Sequence, residues 1–281
     1  MPIEAEAPPL IVQVYATVLF LGGIAGIIHF FFLSKRPKRI EPERSPASWT
    51  IPAPDFLFGL GLLFFLLFFL QVFLTRAFGI GSEEDITGAH IVTIGMASHL
   101  IALGLLYTFY RLAPQKFPAP MDPRHLGWRH AAAAAAYGFL VIIPIIYPAA
   151  FGWQVLLEAI GLPPAPQDTV LLFGEIDELH ILVLMVILTV LIAPVSEELI
   201  FRGCIYRFLK GRASIAVAMI ISGALFALLH HSLSTFLPLF LLGVLLAYSY
   251  EKSGTIKVPI ILHSIFNLNT VTMILLTQYA A

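Results

Sequence analysis

The stretch Pro194–Gly203 reads PVSEELIFRG and follows a run of almost pure Leu, Ile, Val and Met. Two adjacent glutamates and an arginine stand where the residues before them describe a helix made for lipid. Ionisable groups at such a place are costly and are kept for pairing or for function. A helix turns about 100° per residue, so Glu197 and Glu198 point in different directions. Glu198 and Arg202 lie four apart and share a face. The spacing therefore predicts that Glu198 pairs with Arg202 and holds the helix. Glu197 is left without that partner and is free to face a water-containing cavity. The competing reading is an ion-pair network near the membrane interface.

The rest of the chain agrees with a helix in lipid. Of 281 residues, 59% are hydrophobic and 12% charged, and the mean hydropathy is +0.90. A soluble domain carries about 25% charged residues, and several apolar runs here reach the ~20 residues a spanning helix needs. The net charge of -1 gives no basis for binding nucleic acid. Cys204 is the only cysteine, so there is no internal disulfide and no cysteine-rich metal cluster. The expected fold class is all-α: a polytopic membrane helix bundle of about eight transmembrane helices.

Those eight segments are Leu10–Leu33, Phe56–Thr75, His90–Tyr110, Ala131–Ala150, a fifth from Leu179, Ser214–His230, Leu233–Tyr250 and Pro259–Gln278. The fifth runs past Pro194 into the glutamates, with helical pattern as far as Leu209. Pro-rich linkers follow the first and third. The short HHSL link makes segments six and seven an antiparallel hairpin. Basic loops hold Lys35, Arg36, Lys38 and Arg39, then Lys116, Arg124 and Arg129, then Arg207, Lys210 and Arg212, then Lys252 and Lys257. They alternate with acidic loops, which by the positive-inside rule puts odd-numbered helix exits in the cytoplasm and both termini outside. We divide the chain at 178: residues 1–178 hold helices one to four with their linkers, and 179–281 hold helices five to eight.

Further polar residues fall in the second half. His230 ends FALLHH, and His263 and Asn267 share a face one turn apart in HSIFN. An imidazole and an amide together can hold water and stabilise an oxyanion, or they can join helices by hydrogen bonds. His29, His90 and His99 read as interfacial or packed residues. Ser196 lacks a paired base at helical spacing. HExxH, Walker A and GxSxG motifs are absent from the sequence. Loop counting puts Glu197 and His263 at one membrane face and His230 at the other, up to ~20 Å away. A fifth helix that runs deeper, kinked at Pro194, removes the gap.

SEELIFR, FALLH and HSIFN together resemble the three motifs of the CAAX-protease and bacteriocin-processing (CPBP, or ABI) family of intramembrane glutamate-dependent proteases. EExxxR matches Glu197, Glu198 and Arg202; FxxxH matches Phe226 and His230; HxxxN matches His263 and Asn267. The resemblance covers about Leu179–Thr270. It implies an intramembrane endopeptidase of CAAX prenyl protease type that hydrolyses a membrane-associated substrate, prenylated or otherwise lipidated. On that resemblance Glu197 activates water and His230 positions it. His263 and Asn267 stabilise the oxyanion, while Glu198 and Arg202 support them. The family is often described as metalloproteases, and Glu197, His230 and His263 could ligate zinc. The same residues also permit a metal-free site.

The expected partners are a membrane peptide or lipidated protein and the bilayer, with no nucleic acid. The expected location is a bacterial inner membrane, multi-pass. Two other functions stay open: a non-enzymatic membrane partner or bacteriocin-immunity protein, and a proton-coupled transporter using Glu197.

Overall fold

The computed structural model describes residues 9–33, 45–82, 85–112, 126–162, 173, 176 and 178–279. The chain is an all-α polytopic membrane bundle, with no strand among the described residues. The helices are α1 (Leu10–Ile28, ending in a wide π-type turn at His29–Leu33), α2 (Ala53–Ala77), α3 (Gly88–Leu112), α4 (Trp128–Ala159), α5 (Leu179–Lys210), α6 (Ile215–Leu228), α7 (Leu233–Ser253) and α8 (Lys257–Tyr279). All but α6 are long and apolar enough to cross a membrane, which makes seven among the described residues.

All eight apolar segments are thus helical, but the sixth has 14 residues. At 1.5 Å per residue it extends about 21 Å, short of the ~30 Å hydrocarbon core. Helix α4 exceeds the expected segment at its C-terminal end and carries Pro144 and Pro148 inside it. Of the residues on which the orientation rests, Lys35, Arg36, Lys38, Arg39, Lys116 and Arg124 lie outside the described ones.

Helix α5 does not stop at Leu191. It runs unbroken from Leu179 to Lys210, with wide π-type turns at Leu188–Ile192 and Leu199–Tyr206. Pro194 stands inside this helix, directly after the first wide turn, and has no N–H to give to the ladder there. Glu197 therefore lies near the middle of a 32-residue helix rather than at its end. Neighbouring side chains donate to carbonyls of both wide turns. Asn267 Nδ2 bonds Thr189 O at 2.9 Å, and Ser222 Oγ bonds Phe201 O at 3.3 Å.

Helix α7 packs against α6 and α4, and α4 also packs against α1 and α8. The α6–α7 hairpin closes to backbone contact at two glycines. A Cβ on Gly243 would stand 2.8 Å from Gly223 Cα, and one on Gly223 would stand 2.9 Å from Val244 N. The lipid side is apolar, and α2 leaves Phe58, Phe65, Phe68 and Phe73 exposed. Exposed aromatics of this kind are ordinary where acyl chains are the solvent.

The end of α5 is strapped by the segment 45–51. Trp49 N donates to Arg207 O at 2.9 Å, Arg207 Nε to Ala47 O at 2.6 Å, and Lys210 Nζ to Pro46 O at 2.8 Å. Buried Glu251 of α7 accepts from Lys210 at 2.7 Å, from Tyr206 at 2.7 Å and also from Ser45.

Candidate active site

The two glutamates of α5 separate as their spacing requires. The Glu198 side chain is 0% exposed, whereas that of Glu197 is 22% exposed. Glu198 Oε1 accepts from Arg202 Nη1 at 2.8 Å and from His263 Nδ1 at 3.0 Å. Arg202 is fully buried as well. Its Nη2 donates to Gly243 O at 2.8 Å, and its guanidinium carbon lies 4.8 Å above the Phe226 ring.

The other nitrogen of His263, Nε2, stands 3.8 Å from Glu197 Oε2. That is ion-pair range but too long for a hydrogen bond. Glu197 Oε2 is buried and has no hydrogen-bond partner among the described residues. A polar gap of this length between two such groups suits a bridging atom. His263 is thus clamped on one nitrogen by a carboxylate that is itself held by a buried arginine. Its second nitrogen faces another carboxylate. A His held by an acid in this way has its ring orientation and protonation site fixed.

Phe226 is the hub between motifs. Its ring lies edge-on to His263 at 5.6 Å and tilted against His230 at 4.7 Å. His230 Nδ1 bonds Phe226 O at 2.8 Å, so its ring is fixed by its own helix turn. The three motifs meet around one buried aromatic. Glu198 touches Arg202 and His263, and His263 in turn faces Glu197. His230 and His263 both contact the Phe226 ring. Asn267 has one amide N–H committed to Thr189 O.

Among the described residues, no group of three or more His, Cys, Asp or Glu is arranged to hold a metal ion. The trio Glu197, His230 and His263 is not such a group. The geometry does not fit a zinc centre built from these residues.

Two residues that the sequence does not place at the site meet here. His99 of α3, read as a packed residue, has Nδ1 at 2.6 Å from Ser196 Oγ. Ser196 does have a paired imidazole, supplied by another helix rather than by its own. A signal lay in Gly95, one turn before His99. Its missing side chain lets α3 approach closely, since a Cβ there would stand 2.7 Å from Leu188 Cδ2. An apolar cleft between α2, α3 and α5 is lined by Phe56, Leu63, Leu106, Tyr110, Ile200 and Cys204. The last two follow Glu197 along α5.

Residues 179–269 match the family described as "Type II CAAX prenyl endopeptidase Rce1-like". The chain is 31% identical over 98 residues to "Putative membrane peptidase YdiL" of Bacillus subtilis (strain 168), covering 35% of this chain and 40% of that protein. It is 37% identical over 79 residues to "UPF0177 protein YxdF" of Lactococcus lactis subsp. lactis (strain IL1403), covering 28% and 43%. It is 30% identical over 184 residues to an "Uncharacterized 24.3 kDa protein" of Escherichia coli, covering 63% and 78%. The first two matches thus span less than half of each relative's own length. All three relatives are bacterial, which supports a bacterial origin. No solved structure matches the chain. Through residues 179–269, which carry all three motifs, the chain belongs to the CAAX protease, Rce1-like (CPBP) family.

Proposed function

We propose that this protein is an intramembrane endopeptidase in which Glu197 activates water to cleave an amide bond. The observation that carries this reading is the buried, unpartnered Glu197 Oε2 set 3.8 Å from His263 Nε2. Water placed between them gives its proton to Glu197 as its oxygen attacks the carbonyl carbon. The tetrahedral oxyanion collapses, the C–N bond breaks, and the proton held by Glu197 passes to the leaving amine. His263 keeps an Nδ1–H bonded to Glu198 throughout, so it offers an Nε2–H to the oxyanion only as the imidazolium. Two glutamates around one arginine and one imidazolium make a neutral set. The amide N–H of Asn267 not used at Thr189 is a second oxyanion donor, and His230 helps position the water. The cleft lined by Ile200 and Cys204 suits an apolar or lipidated stretch of substrate. The membrane is the bacterial inner membrane.

The test is cleavage of a panel of prenylated and unmodified membrane peptides by protein in liposomes, with Glu197→Gln beside wild type and a chelator arm. Cleavage by wild type, reduced at least about 10²-fold in the variant, is the expected result. Equal cleavage by both removes Glu197 as the base. Loss of activity with chelator restores the metal mechanism. Proton-coupled uptake without cleavage turns the reading to a transporter. A biological effect that survives Glu197→Gln turns it to a membrane partner or immunity protein.

A further inference from the structure

We propose that His99 of α3 is a positioning residue for the Glu197 centre, acting through the hydroxyl of Ser196. The proposal rests on the proteolytic reading of that centre. It adds a component from a helix that lies wholly outside the matched residues 179–269.

The contact is short and enclosed. His99 Nδ1 stands 2.6 Å from Ser196 Oγ, and Ser196 is 0% exposed. Ser196 Oγ also lies 3.0 Å from Ala193 O. A hydroxyl has one hydrogen, and Ala193 O can only accept. The hydrogen therefore goes to Ala193, and His99 donates its Nδ1–H to the hydroxyl oxygen. Ser196 is thus held from two sides. On one it is tied to the carbonyl that precedes Pro194, and on the other to α3.

The approach of α3 is built for this. Gly95 and His99 are four apart and share a face. The open side of Gly95 lies on Leu188, in the wide turn of α5. A Cβ at position 95 would meet the end of the Leu188 side chain at 2.7 Å, so that side chain would have to turn aside for α3 to stay as close. The ring of His99 also lies within electrostatic reach of the Glu197 carboxylate.

Ser196 immediately precedes Glu197, so pinning its side chain fixes the rotation of the turn that aims Glu197 Oε2 at His263. The opposite side of the same turn is pinned by Glu198 through Arg202 and His263. Without His99, the turn is held on one side only. A displacement of about 1 Å at a reacting group can cost on the order of 10²-fold in rate. A second role for the pair, Ser196 as nucleophile with His99 as base, is disfavoured by the commitment of the hydroxyl to Ala193 and its complete burial.

The experiment uses the full chain in liposomes and the best-cleaved peptide of the panel, with His99→Leu, His99→Asn, Ser196→Ala and the double variant His99→Leu/Ser196→Ala. Asn places an amide N–H near the Nδ1 position, so His99→Asn keeps the bond. We expect His99→Leu and Ser196→Ala each to lower kcat about 10- to 100-fold with KM unchanged. His99→Asn stays within a few-fold of wild type, and the double variant is no worse than the weaker single one. Additive losses, or a drop in melting temperature with kcat unchanged, overturn the proposal. Complete loss of cleavage in Ser196→Ala but not in either His99 variant assigns Ser196 as the nucleophile and also overturns it.

The contact has its own readout, independent of activity. In protein labelled with nitrogen-15 at histidine, a hydrogen-bonded Nδ1–H signal of His99 is expected in wild type and lost in Ser196→Ala. If that signal is unchanged in Ser196→Ala, the contact and the proposal fail even in an active enzyme. If it behaves as expected while no peptide is cleaved under any condition, the proteolytic reading has failed, and the positioning role with it.

Discussion

Arg202 donates to the carbonyl of Gly243 at 2.8 Å across the contact between α5 and α7. The same guanidinium holds Glu198 and caps the ring of Phe226. One side chain thus links the first motif to the second and, through Glu198, to His263 of the third. Breaking a buried ion pair from one side leaves a lone charge and costs about 3–5 kcal/mol. Arg202→Met should therefore lower stability by that order, measured by SDS titration of the purified protein. Glu198→Gln/Arg202→Met should recover part of the loss, because no unpaired charge remains. Activity should fall in Arg202→Met, where Glu198 is no longer held, and be lost in the double variant, where His263 loses its anionic clamp.

The glycine contact between α6 and α7 makes a separate prediction. A Cβ on Gly243 would meet Gly223 Cα at 2.8 Å, and backbone cannot rotate away as a side chain can. Gly243→Ala should cost about 1–3 kcal/mol by overpacking, and Gly243→Val should cost more. Because Arg202 bonds the carbonyl at this position, cleavage should fall with the helix separation. Melting curves and rates taken on the same preparations would show both.

Asn267 has two tasks that one variant can separate. Its Nδ2 holds the Thr189 carbonyl in the wide turn of α5, and removing that donor should cost about 1–3 kcal/mol. If its remaining N–H also serves the oxyanion, Asn267→Ala should lower kcat by about 10²–10³-fold. That exceeds what the stability change alone would produce at a temperature where the variant stays folded. A kcat within a few-fold of wild type would confine Asn267 to the structural task.

The loop between α2 and α3 carries a pH-dependent contact. The Asp85 carboxylate accepts from the backbone N–H groups of Ser82 and Gly81 and from the Ser82 hydroxyl. These donors hold its pKa below the usual carboxylate range. A depressed folded value means that the contribution is full above the unfolded pKa and is lost as pH falls through the folded one. The carboxyl carbon-13 signal of Asp85 should titrate at lower pH than an unstructured Asp, and Asp85→Asn should abolish the dependence. Titration in the ordinary Asp range would show that the loop does not hold in solution.

Much of the bundle is legible in the residues because lipid demands long apolar runs, and such runs are local. The positions of Leu10, Leu179 and Leu233 as helix starts follow directly. The pairing of Glu198 with Arg202 follows from a four-residue spacing, which is local too. The depth of Glu197 was less plain. Hydropathy ends a helix where charges begin, but Glu198 and Arg202 are neutralised by each other and do not end this one. The length of α6 was also misjudged, since the apolar count runs on to His230 beyond the last helical turn at Leu228. The contact of His99 with Ser196 depends on how two helices 97 residues apart cross. No periodicity within either helix encodes it, although Gly95 marks where the crossing is tight.

The strap at 45–51 bears on how the chain can be divided. Arg207 and Lys210 find carbonyls in that segment, and Arg212 does so at Trp49 O, 3.2 Å away. The helices that carry the three motifs therefore import part of the polar lining of their own basic end. A grafted or excised α5–α8 unit would lose those carbonyls, keeping Lys210 beside Glu251 and Arg212 on Phe208 O. Any minimal version of this protein must carry the eight-residue neighbourhood of Trp49 with it (roughly Ser45 to Pro52), as a splint on the stump of α5.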